Sequence, residues 1–345
     1  MKENHQAISQ PEDDTVVDIK DLCIYYELEE ETVKAVNGVD LRVKKGETLG
    51  LVGETGAGKT TTALSMMHLV PDPPGVVKSG EIMVCGHDML KVSAKELEKI
   101  RGKDISMIFQ DPMTSLNPTF TVGEQIAEGI MLHEALTKEE SYEKACRMLE
   151  TVGISADRAG EYPHQFSGGM RQRVMIAISL ACNPRVLIAD EPTTALDVTI
   201  QAQVLDLMRH LKETYDMTML LITHDLGIVA EMCDTVAVMY AGSIVEFGTL
   251  EDIFNHTKHP YTEGLFNSLP NVNQKATKLI PIPGLVADPT NLPEGCAFAP
   301  RCKYATDTCR QGTVTKHRIS DTHVVLCNGY NDVAFHIDRK ERSNV

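Results

Sequence analysis

Three features are missing from this sequence, and each absence excludes a class of protein. No stretch approaches the roughly 18 to 20 consecutive apolar residues of a membrane-spanning helix. Residues 1–14 are polar and acidic with no apolar core, so they predict neither a signal peptide nor a membrane anchor. The 33 Lys and Arg against 49 Asp and Glu give a net charge of −16, which argues against a general nucleic-acid-binding protein. We therefore expect a soluble, cytosolic chain with a flexible tail at residues 1–15.

Internal repeats and low-complexity tracts are also missing. The length of 345 residues suffices for one large domain and a smaller one. Short β-type runs between residues 16 and 43 predict a small antiparallel layer with an exposed acidic turn at residues 27–31. Helical patterns dominate residues 93–180, and strands and helices then alternate. This order predicts an α/β domain at residues 16–255 with a helical insertion at about residues 93–180, followed by a C-terminal extension at residues 256–345.

A glycine loop is the most informative motif, and it fits the phosphate-binding pattern G-x-x-x-x-G-K-[ST]. Its residues are Gly53, Glu54, Thr55, Gly56, Ala57, Gly58, Lys59 and Thr60. The loop follows an apolar run that predicts a buried strand, and it opens a predicted helix at residues 61–69. Successive backbone N–H groups and the positive helix end would then point at a polyphosphate, with Lys59 on the outer phosphates and the Thr60 hydroxyl on Mg²⁺. A plain glycine turn before a helix is the alternative.

Two adjacent carboxylates end a second predicted buried strand at residues 186–190. Asp190 beside a phosphate loop supplies an oxygen that organises Mg²⁺, and Glu191 can reach a water aimed at the terminal phosphate. A solvated acidic turn is the alternative. Because the glycine loop is present as well, we favour the catalytic interpretation.

A helix start at residues 167–170 offers a second anion site, because its backbone N–H groups are exposed. An ordinary helix cap is the alternative for this Ser-Gly-Gly segment. Gln110 follows an apolar pair, Asp197 lies in a turn, and His224 closes a predicted strand at residues 218–223. Together with the two stronger motifs these segments form an ordered set.

That ordered set, over residues 16–248, resembles the ATP-binding subunit of an ABC transporter, a P-loop NTPase fold that binds ATP and Mg²⁺. The resemblance implies nucleotide contacts from Tyr26, Gly53, Glu54, Thr55, Gly56, Ala57, Gly58, Lys59, Thr60, Thr61, Ser167, Gly168, Gly169, Met170 and Asp197. It implies catalytic roles for Lys59, Gln110, Glu191 and His224, and Mg²⁺ contacts from Thr60, Gln110 and Asp190.

Within this resemblance Tyr26 would stack on adenine and Glu191 would be the general base for hydrolysis. Tyr25 alternates with Tyr26, so either of the two could face the nucleotide. The signature loop at residues 167–170 ends in Met170, where the commonest family form has Gln. We expect activity to survive this departure because the loop uses mainly its serine and backbone.

The resemblance also implies partners, because each ATP lies between the Walker A loop of one domain and the signature loop of another. We expect a second ABC ATPase subunit that is a different chain, two membrane permease subunits, an extracytoplasmic substrate-binding protein and no nucleic acid. The chain would then lie peripherally on the cytoplasmic face of the cell membrane. Residues 110–118 and 191–203 are close to the oligopeptide/dipeptide importer branch, whose relatives also serve nickel, glutathione and sugars.

Two other function classes stay open at this point. A soluble ABC-type ATPase acting on nucleic acid or the ribosome is the alternative, although such proteins tend to carry tandem ATPase domains or basic arms. A redox-sensing regulatory protein is a third possibility, because the C-terminal extension is rich in cysteine. The two classes differ from an importer in their partners.

Four cysteines crowd into residues 281–327, a segment that resembles the C-terminal extension of the same importer branch. Cys296, Cys302, Cys309 and Cys327 follow C-x5-C-x6-C-x17-C, which lacks the C-x-x-C pairs usual for structural zinc. They offer the four thiolates that a [4Fe–4S] cluster needs. We expect such a cluster, with zinc as the second choice and four unligated thiols as the third, because the segment is poor in apolar residues.

Overall fold

The computed structural model describes residues 14–194, 196–268 and 281–337. Most of the predicted tail lies outside the described residues, as do residues 269–280 and 338–345 of the predicted extension and Ala195. The strands are β1 (Thr15–Glu27), β2 (Thr32–Lys44), β3 (Thr48–Val52), β4 (Gly75–Val84), β5 (His87–Asp88), β6 (Ile105–Ile108), β7 (Val186–Asp190), β8 (Thr218–Thr223), β9 (Thr235–Tyr240), β10 (Ser243–Thr249), β11 (Lys316–Arg318) and β12 (Val324–Leu326).

The helices alternate with these strands, and most begin at a polar side chain that caps the first turn. They are α1 (Lys59–Met66), α2 (Ala94–Ile100), α3 (Pro112–Ser115), α4 (Val122–His133), α5 (Lys138–Thr151), α6 (Gly168–Leu180), α7 (Val198–Tyr215), α8 (Leu226–Met232), α9 (Leu250–Asn255), α10 (Pro260–Asn267) and α11 (Asp307–Arg310). Thr121 and Thr137, for example, each form a capping box with the glutamate three residues later. Within the described ranges, no helix has the length and apolar character needed to cross a bilayer.

The large sheet has the order β11-β12-β10-β9-β3-β8-β7-β6 in the described part of the chain. Strands β3, β8, β7 and β6 run parallel to one another, and every residue of β3, β7 and β8 is buried. Along β7, Val186 and Ile188 belong to one apolar core, and Leu187 and Ala189 belong to the other. Such two-sided burial explains the near-continuous apolar runs of the sequence. The carboxyl ends of these strands meet at one edge.

The small sheet has the order β2-β1-β4-β5 and is antiparallel, as the sequence predicts for residues 16–43. The first short β-type runs of the sequence form a single strand, β1. Its register is irregular near Asp21, whose φ is 45°. The backbone N–H of Leu28 donates to the carbonyl oxygen of Glu31 at 2.9 Å and closes the acidic turn. This layer packs over α1 and the large sheet through a shared apolar core.

The C-terminal extension continues the large sheet. Strand β12 pairs antiparallel with β10 through Val324 and Val325, and β11 pairs with β12. The Glu246 carboxylate of β10 accepts from the backbone N–H of Lys258 and of His259, and it lies 2.8 Å from Nε2 of His323. Residues of the extension are therefore joined to the large sheet by backbone pairing and by a buried polar cluster.

Candidate active site

The phosphate loop connects β3 to α1, and two of its glycines need a left-handed backbone. Gly56 has φ of 82° and Gly58 has φ of 101°. A Cβ atom at Gly58 would lie 2.3 Å from the carbonyl oxygen of Ala35, so this position also has no room for a side chain. The loop therefore takes a shape that ordinary residues cannot adopt.

Lys59 is buried at the start of α1 and folds back over its own loop. Its Nζ donates to the carbonyl oxygen of Gly53 at 2.8 Å and of Glu54 at 3.0 Å. Burial lowers the pKa of Lys59, and the nearby carboxylates of Glu191 and Asp190 oppose that shift. The ammonium group therefore lies where phosphate oxygens could replace the two carbonyl groups.

Asp190 lies at the end of β7 with 3% of its surface exposed. The side chain of Thr60 hydrogen-bonds to its carboxyl group, whereas Oδ1 is buried without a hydrogen-bond partner among the described residues. Burial and the charge of Glu191 raise the pKa of Asp190, against the effects of Thr60 and Lys59. A buried carboxylate oxygen without a partner is costly, and a divalent cation beside Thr60 would satisfy it. These residues fit Mg²⁺.

Glu191 is held by side chains from three other parts of the chain. Nε2 of Gln110 donates to Oε2 at 2.9 Å, the Thr194 hydroxyl donates to the same oxygen at 2.8 Å, and Nδ1 of His224 lies 3.1 Å from Oε1. The backbone N–H of Glu191 donates to the carbonyl oxygen of Ile222 at 2.8 Å. Three of the predicted catalytic residues, Gln110, Glu191 and His224, therefore meet at one carboxylate.

The backbone and the charge of Glu191 are both unusual. Its φ of 47° is left-handed, which is uncommon for a residue other than glycine and is often found at functional sites. Burial raises the pKa of its carboxyl group, but hydrogen bonds from Thr194 and His224 and the nearby charge of Lys59 together leave the pKa below its ordinary value. The group is thus kept ionised, as a proton acceptor must be.

Tyr26 lies on β1 with its hydroxyl 3.3 Å from Oγ1 of Thr61, in the first turn of α1. Its neighbour Tyr25 pairs with Lys34 and Val76 across the small sheet. The structure thus brings Tyr26 to the helix that follows the phosphate loop, and it gives no such contact for Tyr25 among the described residues.

Sequence comparisons agree with this geometry. Residues 36–194 match the family described as ABC transporter, and residues 245–309 match the C-terminal region of oligopeptide/dipeptide transporters. The oligopeptide transport ATP-binding protein OppD of Bacillus subtilis strain 168 is 50% identical over 313 residues, covering 90% of this chain and 87% of that protein. The chain belongs to the ATP-binding subunits of oligopeptide and dipeptide ABC transporters.

Other members and solved structures support the same assignment. The dipeptide transport ATP-binding protein DppD of the same organism is 47% identical, covering 90% of this chain and 94% of that protein. A dimeric post-hydrolysis structure of the ATP-binding cassette MJ0796, bound to ADP and Pi, is 28% identical with a TM-score of 0.61, covering 68% of this chain and 98% of that one. This ABC subunit is therefore an ATPase of the P-loop type with mixed α/β sheets.

The signature segment of this ABC subunit lies with the Asp197 turn. Ser167 caps α6 and its hydroxyl oxygen accepts from the backbone N–H of Met170 at 3.4 Å. A Cβ atom at Gly169 would lie 2.5 Å from a methyl group of Ile200, whose backbone N–H donates to Asp197 at 3.0 Å. Among the described residues, no hydrogen bond links the segment at residues 167–170 to the phosphate loop at residues 53–60.

Three residues at the site were missed by sequence reasoning. Thr194 follows Glu191 by one turn, so its contact could have been found from spacing. Tyr261 belongs to no recognisable motif, but its hydroxyl oxygen accepts a hydrogen bond from the backbone N–H of Glu54 at 2.8 Å. Arg301 pairs with the same glutamate from 247 residues away, a distance at which no local pattern gives a signal.

The four C-terminal cysteines line one small cavity together with residues such as His259 and Phe298. Burial, followed by smaller effects of the other three thiols, raises the pKa of Cys327 to about 12, and burial raises that of Cys302 to about 11. In the described ranges no three metal-binding side chains are arranged to hold a single metal ion. The four thiols thus line one cavity, but among the described residues they are not arranged to hold a metal ion.

Proposed function

We propose that this chain hydrolyses ATP to energise an importer of oligopeptides or dipeptides. The observation that carries the proposal is the Glu191 carboxylate, which Gln110, Thr194 and His224 hold at the sheet edge beside Lys59. The names of two relatives, the oligopeptide transport protein OppD and the dipeptide transport protein DppD, support peptide as the cargo. A coupling ATPase need not contact its cargo, so the choice among peptides rests on those names.

ATP would bind with its phosphates on the loop of residues 53–60. Loop N–H groups and the start of α1 bind the anion, and Lys59 exchanges its two carbonyl contacts for phosphate oxygens. Tyr26, which lies beside Thr61, would stack on the adenine. We expect Thr55 and Ala57, which lie in the same loop, to contact the ATP phosphates as well.

Thr60, Asp190 and Gln110 would hold Mg²⁺. When bound, the ion neutralises charge that develops on the phosphate oxygens. The Asp190 oxygen without a partner supports this proposal, because it is buried and lies on the carboxyl group that Thr60 contacts.

Glu191 would act as the general base. A water attacks the γ-phosphorus, its proton passes to a Glu191 oxygen, and the bond to the β-phosphate oxygen breaks. His224 and Gln110 hold the carboxylate in position for that transfer. The left-handed backbone at Glu191 aims the side chain from the end of β7.

A second subunit would complete the site, because the signature residues Ser167, Gly168, Gly169 and Met170 lie apart from this chain's own loop. ATP binding would close the two ATPase subunits, and hydrolysis would reopen them. We propose a different chain as the second ATPase, two permease subunits, an extracytoplasmic binding protein, and a peripheral place on the cytoplasmic face of the membrane. We retain residues 16–255 as the ATP-binding domain, with the insertion at about residues 93–180.

For the extension at residues 256–345 we propose a [4Fe–4S] cluster held by Cys296, Cys302, Cys309 and Cys327. The cavity that all four cysteines line supports this proposal, because four cysteine thiolates are the ligand set of such a cluster. Anaerobic purification should give a brown protein with about four iron and four sulfide per chain. A colourless, iron-free protein with one zinc would contradict the cluster.

The importer proposal is tested by purifying the tagged chain from detergent-solubilised membranes and identifying its partners by mass spectrometry. We expect two multi-span proteins, a second ATPase and a binding protein. Recovery of ribosomal or DNA-associated proteins without a membrane partner would contradict the importer and favour the soluble ATPase.

A further inference from the structure

The C-terminal extension reaches into the phosphate loop through one ion pair. Nη1 of Arg301 lies 2.7 Å from Oε2 of Glu54, and Nη2 lies 3.1 Å from Oε1, so the pair is bidentate. The Arg301 side chain is 5% exposed and that of Glu54 is 28% exposed. Nε of Arg301 donates to the carbonyl oxygen of Pro283 at 3.0 Å, which fixes the guanidinium from the side of the extension.

The backbone of Glu54 is held from the same direction. Its N–H donates to the Tyr261 hydroxyl at 2.8 Å. The Tyr261 ring packs against Tyr240 and Phe298, with ring centroids 4.7 and 5.4 Å away. Phe298 belongs to the extension, as Arg301 does. Both the side chain and the backbone of one loop residue are therefore anchored outside the loop.

This anchoring bears on nucleotide binding because Glu54 also contacts Lys59. The carbonyl oxygen of Glu54 is one of the two acceptors of the Lys59 ammonium group. A bidentate guanidinium fixes the plane and position of a carboxylate, which a point charge does not do. Removing Arg301 would leave Glu54 free to turn and would leave its charge partly buried without a partner.

We propose that Arg301 is a positioning residue for ATP binding: it holds Glu54, and through Glu54 it keeps the phosphate loop in its binding shape. The inference rests on the proposed nucleotide site. It adds a residue from the cysteine-rich extension, next to Cys302, to the determinants of ATP affinity.

The test compares ATP affinity among full-length variants, measured by equilibrium titration with a fluorescent ATP analogue and Mg²⁺. We expect R301A and E54A each to weaken ATP binding by about tenfold. The double variant should bind ATP at least as tightly as the single variant with the lower affinity. R301K should be intermediate because one ammonium cannot make the bidentate contact. In the assembled transporter the KM for ATP should rise while kcat at saturating ATP changes little.

K316A is the matched control. Lys316 also joins the extension to the ATPase domain, through Asp40 at 2.8 Å, but it touches no part of the phosphate loop. K316A should lower the stability of the protein only slightly, because the ion pair is exposed, and it should leave ATP affinity unchanged. A role of Arg301 in stability alone would lower Tm without changing the affinity of the folded protein.

Binding by R301A within about twofold of the wild type would overturn the inference, as would additive effects of R301A and E54A. If R301A does not fold, R301K decides: weaker binding supports the inference and unchanged binding overturns it. K59A separates the two proposals. If K59A also leaves ATP binding unchanged, the nucleotide site itself is wrong.

Discussion

Asp190 and Glu246 are both buried carboxylates, but they differ in how many of their oxygens have hydrogen-bond partners. Glu246 accepts from two backbone N–H groups and lies against His323, so its oxygens are satisfied within the chain. Asp190 has one oxygen with no hydrogen-bond partner among the described residues, and its carboxyl group contacts Thr60 in the first turn of α1. A fully partnered carboxylate stabilises a fold, whereas an incompletely partnered one is suited to an added ligand. The first joins the extension to the sheet, and we propose the second as a Mg²⁺ ligand of the nucleotide site.

The largest effect is expected from Glu191→Gln. The amide keeps the shape but cannot accept the proton of the attacking water, so kcat should fall by about 10²- to 10⁴-fold while ATP still binds. Steady-state hydrolysis by the assembled transporter and ATP titration measure the two quantities. Glu213→Gln, an exposed change in α7, is the control and should hydrolyse normally. Near-normal hydrolysis by Glu191→Gln would reject the general base.

The next effect separates the two buried carboxylates directly. Asp190→Asn should weaken Mg²⁺-dependent ATP binding by at least about tenfold, with Tm unchanged or raised, because it removes a buried charge. Glu246→Gln should lower the free energy of unfolding by about 1 to 3 kcal/mol and leave Mg²⁺ dependence unchanged. Thermal unfolding and Mg²⁺ titration of both variants measure this. Equal losses of stability in the two would mean that Asp190 is a structural residue.

A third effect concerns the cysteine segment. Cys302→Ser should remove the cluster's visible absorbance and lower Tm by roughly 5 °C, since a bound cluster stabilises the segment that holds it. Cys146→Ser, at a cysteine of α5 outside this group of four, should change neither. Iron analysis and a visible spectrum of anaerobically purified variants decide, and an unchanged iron content in Cys302→Ser would contradict the four-cysteine ligand set.

The smallest effect is expected from Thr194→Val, which removes one hydrogen bond to Glu191. A loss of about 1 kcal/mol should lower kcat by roughly fivefold. Because that bond lowers the pKa of Glu191, its loss raises the pKa, and activity on the acid side should decline at a higher pH than in the wild type. Thr214→Val, whose hydroxyl bonds within α7, should leave the pH profile unchanged.

The buried strands that carry the nucleotide site were predictable from sequence. Strands β7 and β8 have the predicted bounds because continuous apolar runs end at Asp190 and at Thr223. The glycine loop was predictable because its glycines and lysine fit a phosphate-binding pattern of fixed spacing. Helix ends differ by a few residues, as with α1, which begins at Lys59 rather than at Thr61.

What the sequence left open depends on contacts between distant residues. Strands β11 and β12 have three residues each, too few for a periodic pattern, and they form only because β10 offers a free edge. The left-handed backbone of Glu191 has no sequence signal, since glutamate rarely adopts it. Alternation along β1 could not choose between Tyr25 and Tyr26. The contact with Thr61 favours Tyr26.

The central claim is that ATP hydrolysis at this chain's phosphate loop energises peptide import. The most direct test is peptide accumulation in vesicles reconstituted with the chain, its second ATPase, the permeases and the binding protein. Wild-type vesicles should accumulate labelled peptide only with ATP and Mg²⁺, and vesicles with Lys59→Ala should not. Equal accumulation with Lys59→Ala, or none with the wild type despite ATP hydrolysis, would contradict the account.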